Sequence, residues 1–393
     1  MTHPAPRQDG FFAILLIFLR LGLTSFGGPV AHLGYFRAEF VTRRKWLGEA
    51  EYADLVALAQ FLPGPASSQT GFALGMLRGG LAGGIAAWIG FTMPSAIVMV
   101  AAAYGVDLAT SGVGAGIVHG LKLVAVAVVA QAVWGMAGSL APDRTRATIA
   151  AAAAVAMLLL PSAATQIGVI AIGAGLGLAL CRDGASSVGA PLGITIGRGP
   201  ALAALAAFLV LLVGLPVLAP LGHGVALAEA GYRAGALVFG GGHVVLPLLE
   251  RAFVPSGWVP ADQFLAGYAL AQAVPGPLFT FGAFLGAASG GVLGGATVLV
   301  AIFLPGLLLM AGALPFWDGL RRRPDAQAAL RGVNAAVVGI LLAALFDPIW
   351  QGSVHMPADF ALVLAAFVAL VLWKAPPWAV VAAAAAAGAL LAV

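Results

Sequence analysis

Two arginines stand where a charge is costly. Arg20 and Arg233 lie inside apolar runs, so each must face protein, a cavity or an interface. Six residues after each comes a glycine-rich interruption, Phe26-Gly27-Gly28-Pro29 and Phe239-Gly240-Gly241-Gly242. A second pair follows, Pro63-Gly64-Pro65 and Pro275-Gly276-Pro277, preceded by Gln60 and Gln272. Glycine lets a helix stop, and proline suits the first turn of the next. The N–H groups freed at such a start attract anions, aided by the helix dipole. Ser67, with Ser68, Gln69 and Thr70, adds donors in the first half, and Thr280 in the second. Four half-helix starts converging near a midplane would make an oxyanion receptor, with Arg20 and Arg233 as cations for a dianion. Snorkelling to the interface or pairing with a carbonyl remains open for each arginine. Lys122 is a further candidate for substrate attraction. His32, Glu39, His243 and Glu250 are candidates for proton coupling, since imidazoles and carboxylates form relays in transporters. Gln60 and Gln272 either bond substrate or bridge freed carbonyls.

The elements that position these groups follow from composition. Of 393 residues, 61% are hydrophobic and only 9% charged, with mean hydropathy +1.03. Soluble domains carry about 25% charged residues, so a cytosolic enzyme, a nucleic-acid binder and a disordered chain are excluded. The chain reads as an all-α polytopic membrane protein lying in a lipid bilayer. The apolar run near the N-terminus reads as a retained membrane segment, not a secretory signal. One cysteine, Cys181, allows no intrachain disulfide. No His/Cys/carboxylate spacing suits a metal, no phosphate-binding loop is present, and nothing suggests catalysis or a cofactor.

The chain is internally repeated. Arg20, Gly22, Phe26-Gly27-Gly28, Trp46, Gln60, Pro63-Gly64-Pro65, Pro94 and Gly120 recur as Arg233, Gly235, Phe239-Gly240-Gly241, Trp258, Gln272, Pro275-Gly276-Pro277, Pro305 and Gly332. Two homologous halves, 1–190 and 191–393, are joined by the Gly/Ser/Pro-rich stretch 183–200. Several apolar segments are too short to span (29–40, 51–62, 231–241 and 243–254). The short ones come in pairs around the breaks and read as re-entrant hairpins or broken helices. Gly79-Gly80, Gly83-Gly84 and Gly294-Gly295 are expected to serve close helix packing. Asp347, His355 and Asp359 look like exposed loop residues.

Charge sets topology. Segment 37–51 carries Arg37, Arg43, Arg44 and Lys45, while its counterpart 250–262 carries only Arg251. The 105–114 loop has no basic residue, while its counterpart carries Arg321, Arg322 and Arg323. By the positive-inside rule the halves are inverted. Inverted repeats place a transporter's substrate site at the repeat interface.

These motifs resemble the chromate ion transporter family in its long, two-domain form. The resemblance rests on Phe26-Gly27-Gly28-Pro29 with His32 and Tyr35-Phe36, Arg43-Arg44-Lys45-Trp46-Leu47, and Gln60 through Pro65. In the second half it rests on Phe239 through His243, Leu246-Pro247, and Gln272 through Pro277. It implies a multi-pass protein of the bacterial inner membrane that exports chromate and confers resistance. It also implies duplicated halves in opposite orientation. Membrane potential or proton exchange would drive transport, with the inverted halves rocking around the site. A sulfate or other oxyanion permease and an anion channel are the rivals. No nucleic-acid partner is expected, and a homo-oligomer stays open.

Overall fold

A computed structural model describes residues 9–25, 28–107, 113–160, 162–182, 197–238, 245–317 and 323–391. Phe26, Gly27, Phe239 to Gly242 and His243 lie outside the described residues, as do Arg321 and Arg322. Among the described residues there are helices and no strand. The first half has α1 (Phe11–Thr24), α2 (Gly28–Phe36) continued by a π-helical turn (Arg37–Arg43), α3 (Glu49–Phe61), α4 (Ala66–Asp107), α5 (Val113–Leu140), α6 (Arg144–Leu159) and α7 (Ala163–Leu180). After α8 (Arg198–Leu218), the second half has α9 (His223–Ala236), α10 (Val245–Phe253), α11 (Ala261–Ala273), α12 (Phe281–Ala313), α13 (Pro324–Ala344), α14 (Pro357–Val371) and α15 (Pro377–Leu391). α9 begins at His223, earlier than the run of apolar residues from 231 suggests.

Short helices double back. α4 turns at Gly80 (φ +59°) and α12 at Gly291 (φ +65°), a backbone that side chains resist. Gly75 then meets Gly83, and Gly286 meets Gly294, across each turn. Gly79-Gly80 is therefore a turn between two antiparallel arms, beyond the packing role its sequence suggests. The end of the first α4 arm returns to the start of the chain. Arg78 pairs with Asp9 at 2.9 Å and stacks 5.1 Å over the Trp46 ring. Helix pairs α1–α2 and α3–α4 thus begin and end on one face, the Trp46 face. In the second half, the His223 ring lies 5.2 Å from Trp258 and its Nε2 meets Ser289 O at 2.9 Å. A Cβ on Gly291 would meet Tyr104 Oη at 3.7 Å, at the far end of the α4 arm that starts from Gly80, so pairs α9–α10 and α11–α12 open on the other face, that of Trp258. Both pairs are re-entrant hairpins, and the halves are inverted.

The inversion needs one extra crossing, which α8 supplies. The first half ends on the Trp46 face, where Arg331 Nε donates to Cys181 O at 2.8 Å and Arg182 faces Asp325. The 21 residues of α8 span about 31 Å at 1.5 Å each, enough for one hydrocarbon core. Its apolar window is only 6% buried, as a lipid-facing helix should be. Four further stretches are long and apolar enough to cross, within α4, α5, α12 and α13.

The last three helices of the halves exchange partners. α5 packs on α14 and α15, while α13 packs on α6 and α7. Gly120 lies against the Ala384 carbonyl, and its repeat equivalent Gly332 against that of Gly173. A Cβ at either would strike backbone, so only glycine permits the approach.

Candidate functional site

Each Pro-Gly-Pro break crosses to the residue that precedes the other half's Phe-Gly-Gly motif, Gly64 to Val238 and Gly276 to Ser25. Pro63 ends α3 and Pro65 leads into α4, leaving Gly64 at φ +124°; Gly276 does the same at φ +105°. Each glycine amide donates across the repeat boundary, Gly64 N to Val238 O at 2.7 Å and Gly276 N to Ser25 O at 2.9 Å. Val238 and Ser25 are equivalent residues, each just before its Phe-Gly-Gly motif. These two amides therefore hold the crossing together and do not face an open cavity. Gln69 Nε2 adds a clamp, donating to Pro63 O at 2.9 Å and to Gly306 O at 3.1 Å.

The two sides of the crossing are chemically unlike. On the Gly276 side, a Cβ on Gly276 would lie 2.7 Å from Ser95 Oγ and 3.3 Å from Phe91 O. The His32 ring stands edge-on to Phe91 at 5.2 Å, and its Nδ1 lies 3.4 Å from Ser67 Oγ. His32 is 1% exposed, and Ser25, Ser67, Ser68, Thr92 and Ser95 are equally buried. Among the described residues Ser25 Oγ, Ser68 Oγ and Thr92 Oγ1 have no hydrogen-bond partner, and the His32 ring reaches the Ser25 backbone. On the Gly64 side, the equivalents of Ser25, His32, Ser67, Thr92 and Ser95 are Val238, Val245, Phe279, Phe303 and Gly306. A buried polar atom left unpaired costs about 1–3 kcal/mol, a penalty that the apolar equivalents Val238, Val245 and Phe303 do not carry. Such a cluster in a membrane core calls for a polar occupant. The repeat pairing was legible in the sequence; the polarity difference was too, once Ser25, His32 and Thr92 are set beside Val238, Val245 and Phe303.

Other expected residues lie elsewhere. Arg20 is exposed on α1, its carbonyl accepting from Thr24 Oγ1 at 2.9 Å. Arg233 pairs through Nε with Glu229 of its own helix at 3.0 Å. Among the described residues no hydrogen bond or ion pair joins Arg20 to Arg233. Lys122 is neutralised by Asp262 at 2.7 Å. Gln60 is exposed, while half-buried Gln272 bonds the Tyr268 side chain. Gly28, at φ +76°, and Pro29 start α2, and Pro275 and Pro277 flank Gly276. Glu39 sits at the Trp46 face, clasped by Arg44 at 2.6 Å and Arg43 at 3.0 Å. Partial burial pulls its carboxyl up, but the two arginines hold it below the usual range. Glu250 and Arg251 line a cavity of about 230 Å³ with Asp347. Asp359 is not the exposed loop residue its sequence setting suggests. It is buried, caps α14 by accepting from His355 N and Met356 N, and bonds His119 at 2.8 Å. No cluster of three or more His, Cys, Asp or Glu suits a metal among the described residues.

A family model described as "Chromate transporter" matches the chain twice, at residues 12–178 and 225–389. The chain is 29% identical over 384 residues to the "Chromate transport protein" of Pseudomonas aeruginosa, covering 95% of this chain and 90% of that one. It is 26% identical over 377 residues to the "Chromate transport protein" of Cupriavidus metallidurans, covering 94% and 90%. A "Probable chromate transport protein" of Synechococcus elongatus is 29% identical over 377 residues, covering 91% and 88%. No solved structure matches the chain.

Proposed function

Since the chain belongs to the chromate transporter family, a family of transporters and not enzymes, we propose that it carries chromate outward across a bacterial inner membrane as a secondary transporter and so confers resistance. The observation that carries this reading is the buried, part-unpaired polar cluster at the crossing of two inverted repeats. That is where inverted-repeat transporters hold their substrates. Ser25, His32, Ser67 and Thr92 would bond the tetrahedral dianion. Arg20, outside the cluster, would raise the local anion concentration at the entry, and Arg233, on the Trp258 side, would receive the anion as it leaves. The Trp46 face, with Arg37, Arg43, Arg44, Lys45, Arg144, Arg146 and Arg182, is the cytoplasmic one by the positive-inside rule. Export of a dianion from a negative interior gains about 4.6 kcal/mol per 100 mV, so potential alone drives it; proton exchange through His32 is the alternative coupling.

Everted vesicles given labelled chromate and an inside-positive potential test this. Uptake should saturate, fall on collapse of the potential, and drop at least tenfold in His32→Ala and Thr92→Val. Arg20→Ala should weaken apparent affinity more than maximal rate, and Arg233→Ala should lower maximal rate more than affinity. Sulfate moved in place of chromate would overturn the substrate. Non-saturating currents would show a channel, and full activity in His32→Ala would move the site.

A further inference from the structure

On the Trp258 face, α7 of the first half meets α9 and α10 of the second around a second, smaller cavity of about 60 Å³. Its polar lining is Gln166, Arg233 and Arg251. Arg251 also lines the larger cavity of about 230 Å³ beside it. The two cavities thus share one guanidinium as their common wall. Leu237, two residues before the Phe239 break, lines the inner end.

The donor set is unusual for so apolar a chain. Gln166 is 2% exposed, and its Nε2 has no hydrogen-bond partner. Arg233 meets Glu229 through Nε, one of the five N–H donors of a guanidinium. Arg251 gives one Nη to Ser162 O, again one of five. Acceptors are present too. Glu229 faces Arg233, and Glu250 and Asp347 flank Arg251 in the outer cavity. Two arginines at one cavity need such counter-ions; an arriving anion exchanges with them. One water needs about 15 Å³ of such space, so the inner cavity holds about four water-sized groups, the oxygens of one tetrahedral oxyanion.

We propose that Gln166, Arg233 and Arg251 form a second oxyanion subsite, on the Trp258-face approach to the crossing. It rests on the transport reading for its cargo but is distinct from the His32 cluster in place and in chemistry. Here two forked cations and an amide bind the anion, in water-accessible space. At the crossing, hydroxyls and an imidazole do so in a closed interior. Arg251, legible in the sequence only as the lone basic residue of its loop, is the shared wall past which an exported anion leaves the crossing.

The test needs no transport. The full-length protein in lipid nanodiscs is treated with an arginine-selective dicarbonyl reagent, and modification of Arg251 is followed by peptide mass spectrometry. Saturating chromate or sulfate should slow modification of Arg251 about tenfold, while chloride at equal ionic strength should not. In Gln166→Leu, which keeps size and both arginines, the half-protecting chromate concentration should rise about tenfold, the worth of one hydrogen bond to a charged group. Equal Arg251 modification with and without dianion overturns the subsite, as does unchanged protection in Gln166→Leu. Protection without vesicle uptake keeps the subsite and removes the transport reading. Uptake without protection does the reverse.

Discussion

Replacing either crossing glycine by alanine should damage the protein, and unequally. Both glycines hold positive φ, where a side chain costs about 1–3 kcal/mol. The contacts then separate them. A Cβ on Gly64 would lie 2.9 Å from Gly306 Cα and 3.0 Å from Gln69 Nε2. Backbone has no room to yield, and moving Gln69 breaks its bonds to Pro63 O and Gly306 O. Overpacking adds about 1–3 kcal/mol and the lost bonds about 1 kcal/mol each. Gly64→Ala therefore totals about 4–8 kcal/mol, against a whole stability of about 5–15 kcal/mol. At Gly276 the nearest atom is Ser95 Oγ, at 2.7 Å, and a hydroxyl can turn away. Gly276→Ala should cost about 2–3 kcal/mol, mostly backbone strain. Ser95→Gly recreates the glycine pair of the other side and should restore about 1 kcal/mol of it in a double-mutant cycle. The assay is the denaturant midpoint of the detergent-purified protein by tryptophan fluorescence, with vesicle uptake alongside. A Gly276→Ala variant less stable than Gly64→Ala, or no recovery with Ser95→Gly, would refute the geometry.

Three further outcomes follow. At the helix exchange, Gly332→Val should unfold the protein or cost at least about 3 kcal/mol by overpacking, while Gly175→Val, which meets nothing, should be near neutral in the same denaturation assay. The loop from Arg37 to Glu51 is clasped by Arg37–Glu49 and by Glu39 with Arg43 and Arg44, and both carboxyls are held below their ordinary range. Their stabilisation is therefore complete at neutral pH and lost only as pH falls through about 4 and below; limited proteolysis after Arg43 and Arg44 should rise there and nowhere above. In a Cys181→Ser background, cysteines placed at Lys45 and at Ser256 should react with a membrane-impermeant thiol reagent from opposite sides, and labelling from one side would undo the inversion.

Much of this architecture was legible in the residues. The repeat, the segment lengths and the swap of basic residues between matched loops suffice for two inverted halves with hairpins at the breaks. Proline and glycine fix local backbone, which is why the breaks could be placed. The partners across those breaks were not legible. Nothing in Pro63-Gly64-Pro65 says that its amide meets Val238, because a hydrogen bond to a carbonyl leaves no mark on the acceptor's side chain. The intramembrane arginines show a related limit. Arg20 and Arg233 are equivalent by repeat, but inversion sends equivalent residues toward opposite faces, so matched cations need not converge. Lys122 and Asp262, far apart in sequence and in different halves, find each other only through the packing of α5 on α11. Asp359 looked solvent-exposed because a helix cap carries the same residue types as a loop.

The exchange of α5 and α13 also decides what can move. A rocking of residues 1–190 against 191–393 would tear α5 from α14 and α15, and α13 from α6 and α7. The joints the chain leaves intact run the other way. The hairpin helices α1–α4 and α9–α12 form one set, and α5–α7 with α13–α15 form the other, the two meeting where α11 packs on α5 and α15. The chain passes between the sets just after Asp107, back through α8, and again just after Trp317. Each set is thus assembled from both copies of the repeat, as two interleaved hands and not two facing palms. A gate built this way ties the repeats mechanically, so that opening one face and closing the other become a single displacement.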